Sequence, residues 1–430
     1  MNVAVIVPGG GETLSICDIA ECMHTVFTRF YRCRADAGLY PGYCFGNSAE
    51  EIIAECIGVN EDISTDIHNA LKDSYNDYYN DNCYSDEFEY KEELPSSENF
   101  DFKWQEIKKS LQGEARFFNQ KVKEFFDEIF YEIENLHTID SQQAVSIIGP
   151  EQRIFRARVF EDYNKVEKAL EKPEKNFGPP PQPLATSGRM NAQGIPVFYG
   201  AFSPDIAISE VRPAVGSHVV VAEFNPLKQL RVLNISSFDR LRSKKGSYFD
   251  PLYGEQLAKI SFLRTLSRKL TLPVSGKKTE SEYLITQAVA EYLSVLRDPV
   301  IDGIIFKSTQ VALIDKKNMN ADLSQHNIVL FSKSSKVQDA DNSSIMYAIN
   351  LMEEEYDENS MNCRLEPTIQ CKVPSNREML CLSNRSSSND YSLKLNISKM
   401  VLHEIEGVVF QNKPYEITQL ANHIHSELND

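Results

Sequence analysis

Apolar residues recur at three- and four-residue steps through the first third of the chain. Ile16, Ile19, Ala20, Met23, Phe27 and Phe30 form one such stripe, the spacing of a helix that buries one face. A stronger stripe runs through Phe118, Val122, Phe125, Ile129, Ile133 and Leu136, and its aromatics read as core rather than as a ligand box. Asn47, followed by Glu50 and Glu51, reads as a helix start with a capping-box variant ahead of Ile52, Ile53 and Cys56. The acidic, tyrosine-rich run from Asp73 to Glu93 is a partly ordered loop or a solvated helix end. Residues 1–145 are therefore expected to form a helical domain.

The period then shortens. IPVFYGAF, SHVVVAEF, LRVLNI, DGIIF and NIVLF are short runs rich in Val, Ile and Phe, bounded by Gly and Pro, which marks strands of a sheet. Helical stretches from about Ser203 to Val211 and from about Ser281 to Leu296 interrupt them. The proline-dense segment from Lys172 to Thr186 follows RIFRARVF and reads as a stiff loop over a cleft. After Phe331, SKSSKVQDADNSS has the composition of a linker. Beyond it come a helical piece near IMYAINLMEEEY and alternating runs such as SLKLNI and EGVVF. The expected class is α+β. A helical domain (1–145) precedes a central mixed β-sheet core with helices (146–335), and a linker leads to a small β-rich C-terminal appendage (336–430). No internal repeat of useful period is found.

A chain of 430 residues with 42% hydrophobic and 25% charged positions is large enough for two or three domains with real cores. The formal charge of −17 opposes nucleic-acid binding, because a phosphate backbone asks for clustered Lys and Arg. It permits a small anionic ligand in an arginine-lined cleft, or a basic partner protein. No stretch resembles a membrane span, and MNVAVIVPGGGETL lacks the basic start and cleavage pattern of a signal peptide. A cytoplasmic protein with no membrane partner is expected. PGGGET lacks the lysine of a phosphate loop and reads as a flexible turn.

Nine scattered cysteines fit a reducing compartment. Cys17, Cys22, Cys33, Cys44, Cys56 and Cys83 precede residue 84, with His24 nearby, so zinc is conceivable there. However, no Cys-x-x-Cys pair occurs, and the five-step from Cys17 to Cys22 points the thiols apart. Small buried core cysteines and no metal are the expectation. The histidines form no triad with a Cys or Ser.

Several polar residues interrupt or end apolar runs. Arg156 and Arg158 alternate with apolar neighbours in RIFRARVF, and Arg189 follows Gly188 in SGRMNAQG. Tyr199 ends the next strand, Glu210 lies eleven residues later on a short helix, and Ser308 follows DGIIFK. Singly, each has a plain reading: a solvated carboxylate, a packed aromatic, a turn residue. Gln287 and Glu291, four apart on one helical face, either line the cleft or form a helix-surface pair.

Taken together, GRMNAQGIPVFYGAFSPDIAISEVRP resembles the signature of the RES domain family. The resemblance starts near RIFRARVF, continues through VVVAEFNPLKQLRVLNI, YLITQAVAEYL, DGIIFKSTQ and NIVLF, and covers roughly residues 150–335. Met190 departs from the tryptophan of many short members. The resemblance implies a fold related to ADP-ribosyltransferases and a cleft for NAD, used as substrate with no further cofactor. It implies that Arg156, rather than Arg158, holds the pyrophosphate or an attacking phosphate, and that Arg189 faces the NAD phosphates or braces the cleft. Tyr199 would stack on nicotinamide, Glu210 would engage the nicotinamide ribose, and Ser308 would fix the ribose or the carboxamide. Short members are toxins of bacterial toxin–antitoxin pairs. The implied activity is cleavage of the nicotinamide–ribose bond by water or inorganic phosphate. Alternatives are protein ADP-ribosylation and a catalytically silent NAD-sensing module. EEIIAECIG, DIHNALKDSY and the WQEIKK to RFFNQ stretch are similar to HEPN-type helical bundles. No arginine precedes His24, His68 or His137 with four to six residues between them, so this region is expected to regulate or oligomerise and not to cut RNA. An antitoxin or regulatory partner and a homo-oligomer are the corresponding partner expectations.

Overall fold

The first stripe is a helix, α1 (Ile16–Phe30), opened by a reciprocal cap between Ser15 and Asp18. A computed structural model of the chain describes residues 5–6, 13–34, 46–75, 84–86, 88–114, 118–243, 246–271, 279–310, 323–340, 345–357, 360–371, 390–409 and 415. α2 (Ala49–Ile57) starts one residue later than Asn47 suggests. Ser48 is its cap, with Oγ accepting from Glu51 N at 3.2 Å and the Glu51 carboxylate accepting from Ser48 N at 3.0 Å. Asn47 instead bridges to Tyr90. α1, α2 and α3 (Glu61–Tyr75) enclose a core of Met23, Phe27, Ile53, Ile67 and Leu71, together with Tyr84 and Tyr90. The acidic run thus contains the end of α3, a buried tyrosine and a strand, Glu89–Glu92, paired with Tyr31–Arg34. Cys17 and Cys22 are exposed, so these two are not core cysteines, while Cys33 and Cys56 are half-buried and pack against this core. Cys44 and Cys83 lie outside the described residues.

α4 (Glu98–Gly113) and α5 (Gln120–Phe130) carry the second stripe. Phe118 is not part of it: φ is 58° and the ring is fully exposed, just before the Asn119 cap. Ile133 and Leu136 stay buried after the helix because a short turn at Ile133–Asn135 follows it.

The centre is an eight-stranded mixed sheet. Its strands are β1 (Val145–Ile148), β2 (Ile154–Phe160), β3 (Phe198–Ala201), β4 (His218–Pro226), β5 (Leu230–Asn234), β6 (Gly303–Lys307), β7 (His326–Leu330) and β8 (Leu393–Glu404). They lie in the order β8-β4-β2-β3-β7-β6-β5-β1. Only β5 and β6 run parallel; the other neighbours are antiparallel. Alternate residues bury on opposite faces, as the pleat requires. Leu233, Ile304 and Val329 join Trp104, Phe125 and Phe262 on one side. Val232, Ile305, Ile328 and Leu330 join Val166, Leu170 and Phe177 on the other.

α6 (Tyr163–Leu170) and α7 (Pro173–Phe177) cover the second face, so the proline-dense segment is partly helical. None of its described residues lines the cavity introduced below. α8 (Pro204–Val211) matches the expected helix, and α10 (Thr279–Glu291) runs on through a wider turn at Tyr292–Leu296. α9 (Pro251–Thr271) has no clear stripe in the sequence. Phe262 and Leu263 are adjacent and both buried, because the helix is packed on more than one side, which blurs a single-face pattern.

The C-terminal region is β-rich, with two corrections. IMYAINLMEEEY is not helical: Tyr347–Asp357 pairs antiparallel with Ser360–Cys371. Tyr347 and Leu351 are buried while Ala348, Asn350 and Met352 face out, a period of two rather than 3.6. Nor is the region an appendage, since β8 is an edge strand of the central sheet, antiparallel to β4. The expected linker also joins the core, where Val337 is 2% exposed and bridges to Leu393. No strand forms at 406–409, and Phe410 lies outside the described residues. No helix among the described residues is long and apolar enough to cross a membrane.

Candidate functional site

Glu210 sits in the last turn of α8. Ser203 caps that helix by accepting from Ile206 N at 3.3 Å, and Pro204 supplies a preset φ at its first position. Ile206 and Ala207 bury against Ala157, Ala201, Val219 and Val221 of the sheet. The docking aims Glu210 across the ends of β6 and β7. Its Oε1 accepts from Ser308 Oγ at 2.6 Å and from Asn327 Nδ2 at 2.7 Å. Both donors are buried at 5% exposure, while Glu210 itself is exposed at the cleft. Arg212 follows in left-handed backbone, φ 47° and ψ 58°, and ends the helix. For a non-glycine this is a strained conformation, of a kind that concentrates at functional sites.

A cavity of about 340 Å³ opens beside this carboxylate, at the lower end of small-molecule sites. Arg156, Arg189, Tyr199, Glu210 and Asn327 line it, together with Arg212, Lys307 and Gln310. Ser308 is absent from the lining and stands behind Glu210. Thus Arg156, Arg189, Tyr199 and Glu210, spread over 55 positions (156 to 210), share one hollow, and Ser308 reaches it through Glu210.

Arg156 lies on β2 opposite Ala222. Its guanidinium carbon sits 5.1 Å from the centre of the Phe198 ring, and Nη1 is buried without a hydrogen-bond partner. Burial, helped by the charge of Arg158, pulls its pKa down to about 9, with Tyr199 acting the other way. The group stays protonated at neutral pH. Arg158 turns elsewhere, its Nη2 donating to Gly178 O at 3.5 Å.

Tyr199, on β3 opposite Val329, has its hydroxyl fixed from two directions. It donates to Asn191 Oδ1 at 3.1 Å and accepts from Met190 N at 3.2 Å. Burial raises its pKa. Asn191 in turn donates to the carbonyls of Thr186, Ala192 and Ile195. Gly188 lets this cluster close, since a Cβ there would lie 2.6 Å from Asn191 Oδ1 and 2.9 Å from Tyr199 Oη. Arg189 donates to the carbonyls of Leu270 and Thr271, at the negative end of α9. Its guanidinium thus ties the cavity wall to the end of α9. From α10, Gln287 Nε2 donates to Ser187 Oγ, Gly188 O and Asn191 O at 2.8–3.0 Å. Gln287 therefore holds the loop, and neither it nor Glu291 lines the cavity.

Residues 155–348 match the family described as the RES domain. The chain carries a RES domain. No curated protein and no solved structure matches the chain. The RES domain contains the whole cavity lining and all of β2 to β7 except Ile154. The match connects residues 155–348 with NAD chemistry in general terms.

Within this RES domain, sequence reasoning missed Asn327, Arg212 and Lys307 and gave Asn191 no role. Asn327 had a usable signal, a polar residue at the head of the apolar run NIVLF. In a strand buried on both faces such a residue needs a partner, and Glu210 supplies it. Arg212 and Lys307 look like surface charges in sequence, and only the docking of α8 on the sheet brings both to one cavity.

Proposed function

We propose that this RES domain cleaves the bond between nicotinamide and ribose in NAD, passing the ADP-ribosyl group to water or inorganic phosphate. One observation carries the reading: a carboxylate, Glu210, is held by Ser308 and Asn327 at a cavity that also holds Tyr199 and Arg156. Breaking the bond returns its electron pair to the nicotinamide nitrogen and leaves positive character on the ribose. A carboxylate beside the ribose stabilises that developing charge, most effectively when it is oriented beforehand. The two donors on Oε1 supply the orientation. Nicotinamide is cationic while bonded and leaves neutral, so no strong general acid is required.

Tyr199 offers a ring whose hydroxyl is tied at Asn191 and Met190, a fixed surface for a planar heterocycle. Arg156 has a buried donor with no acceptor, and a phosphate oxygen is the acceptor a guanidinium fits best. Arg212 and Lys307 add positive charge at the same cavity, which favours an anionic dinucleotide even on a chain of net charge −17. The wider reading follows the family: a toxin or defence effector of the cytoplasm, with the N-terminal helices as a regulatory part.

The test is incubation with NAD and measurement of free nicotinamide, with and without phosphate. Turnover without a protein acceptor is expected, and Glu210→Gln should lower the rate by about 10²–10³-fold with an unchanged melting temperature. Label fixed to protein in place of free ADP-ribose would favour a protein ADP-ribosyltransferase. NAD binding without turnover would favour a silent sensor.

A further inference from the structure

A second group of chemistry-bearing side chains lies outside the RES domain, among α2, α3 and the segment after α3. His68 on α3 is 3% exposed. Its Nε2 lies 2.9 Å from the backbone oxygen of Tyr84. A carbonyl only accepts, so Nε2 carries the hydrogen, and Nδ1 presents either a lone pair or a second proton. Nδ1 faces two carboxylates, Glu50 Oε1 at 3.3 Å and Asp86 Oδ1 at 3.9 Å. A lone pair aimed at carboxylates is repulsive, and the Lys72 ammonium already lies on Asp86, so Nδ1 and Glu50 are left to share a proton or a metal ion.

The spacing accommodates a metal ion. The Glu50 contact at 3.3 Å is a long hydrogen bond, where a charge-assisted one closes to about 2.7–2.9 Å. Ligand atoms about 2.0–2.2 Å from a tetrahedral ion sit about 3.3–3.5 Å apart. The Glu50 separation has that value, and Asp86 Oδ1, on a carboxylate 77% exposed, stands 3.9 Å from Nδ1. All three ligand atoms fall within 4.8 Å of one another. The bond from Nε2 to a backbone carbonyl is also the outer contact that orients a metal-bound imidazole.

We propose that Glu50, His68 and Asp86 bind a divalent transition-metal ion of the zinc class, leaving a fourth position for water. One imidazole and two carboxylates are a borderline donor set that suits zinc better than calcium or magnesium. The ion is a structural clasp. It joins the first turn of α2, the middle of α3 and the segment carrying Tyr84, whose ring is 1% exposed in the α1–α3 core. Lys72 also contacts Asp86, so its ammonium competes with the ion for that carboxylate.

The test uses the full chain, stripped with a chelator and titrated with Zn²⁺ alone by calorimetry. One ion per chain is expected, with a rise in melting temperature. Glu50→Gln and Asp86→Asn should each weaken binding by at least about tenfold, and Lys72→Met should tighten it. Asp86 is exposed, so its change leaves the core intact. Co²⁺ in place of Zn²⁺ should give visible bands without thiolate-to-metal absorption, which separates this site from exposed Cys17 and Cys22. Absence of stoichiometric binding overturns the proposal. So does a thiolate band, or an affinity indifferent to Glu50→Gln and Asp86→Asn.

Discussion

Two donors converge on one oxygen of Glu210, Ser308 Oγ at 2.6 Å and Asn327 Nδ2 at 2.7 Å. Each orients the same carboxylate, so their effects should couple. Ser308→Ala and Asn327→Ala are each expected to lower kcat for nicotinamide release about tenfold, from the strength of a hydrogen bond to a charged group. The double variant should lose less than the product of the two. Steady-state rates of the three variants check this, and a fully multiplicative loss would mean the donors act independently. Gly188 makes a different kind of contribution. An added methyl would lie 2.6 Å from Asn191 Oδ1 and 2.9 Å from Tyr199 Oη. Gly188→Ala should therefore part the bond between them and cost on the order of 2 kcal/mol. A lowered melting temperature and a raised KM for NAD are the expected readings, because the wall moves while the carboxylate stays. The importance of Asn191 was half legible: it lies within the GRMNAQG piece that carries the family resemblance, yet its three carbonyl partners belong to a loop shape that sequence does not encode.

At the level of elements, amphipathic stripes were most readable where one side of a helix meets one core. α1 obeys that rule, with Ile19, Met23, Phe27 and Phe30 buried. α9 breaks it, since it is packed on more than one side. The strand Tyr347–Asp357 was misread because its apolar residues satisfy both periods over a short stretch, and pairing with Ser360–Cys371 decided between them. β8 carries a direct prediction. It covers the outer edge of β4 and buries Leu393 and Leu395. Ending the chain before residue 390 would uncover the hydrogen-bonding edge of β4, and uncovered edges pair with other chains. Such a truncation should elute as aggregate in size-exclusion chromatography. A monomeric, folded product would mean that β8 is dispensable.

Across the whole molecule, α4 and α5 share one apolar core with α9, α10 and a face of the central sheet, while α1 to α3 form a second core that Leu257 of α9 joins. Glu134 is a polar tie across this arrangement. It accepts from Arg231 of β5 at 3.0 Å and from Arg297, after α10, at 2.6 Å. Burial alone would raise its pKa, but the Arg297 hydrogen bond and both arginine charges bring it below the ordinary 4.5. A carboxyl with a depressed folded value contributes stability that is complete above about 4.5 and disappears as pH falls through the folded value. The melting temperature should therefore drop on acidification below about pH 4.5, and Glu134→Gln should drop less steeply over the same window. Parallel curves for the two proteins would remove Glu134 from the account.

Local pattern by itself determined the α+β class, the strands β3 to β7, the helices α1, α5 and α8, and which polar residues were out of keeping with their apolar surroundings. Those properties follow from side-chain period and from the cost of burying polarity, both readable along the chain. The tertiary structure alone decided that Asn327 joins Ser308 at Glu210, that Arg189 is spent on the end of α9, and that β8 closes the sheet edge. Each depends on which distant segments become neighbours, and long-range register has no local signature.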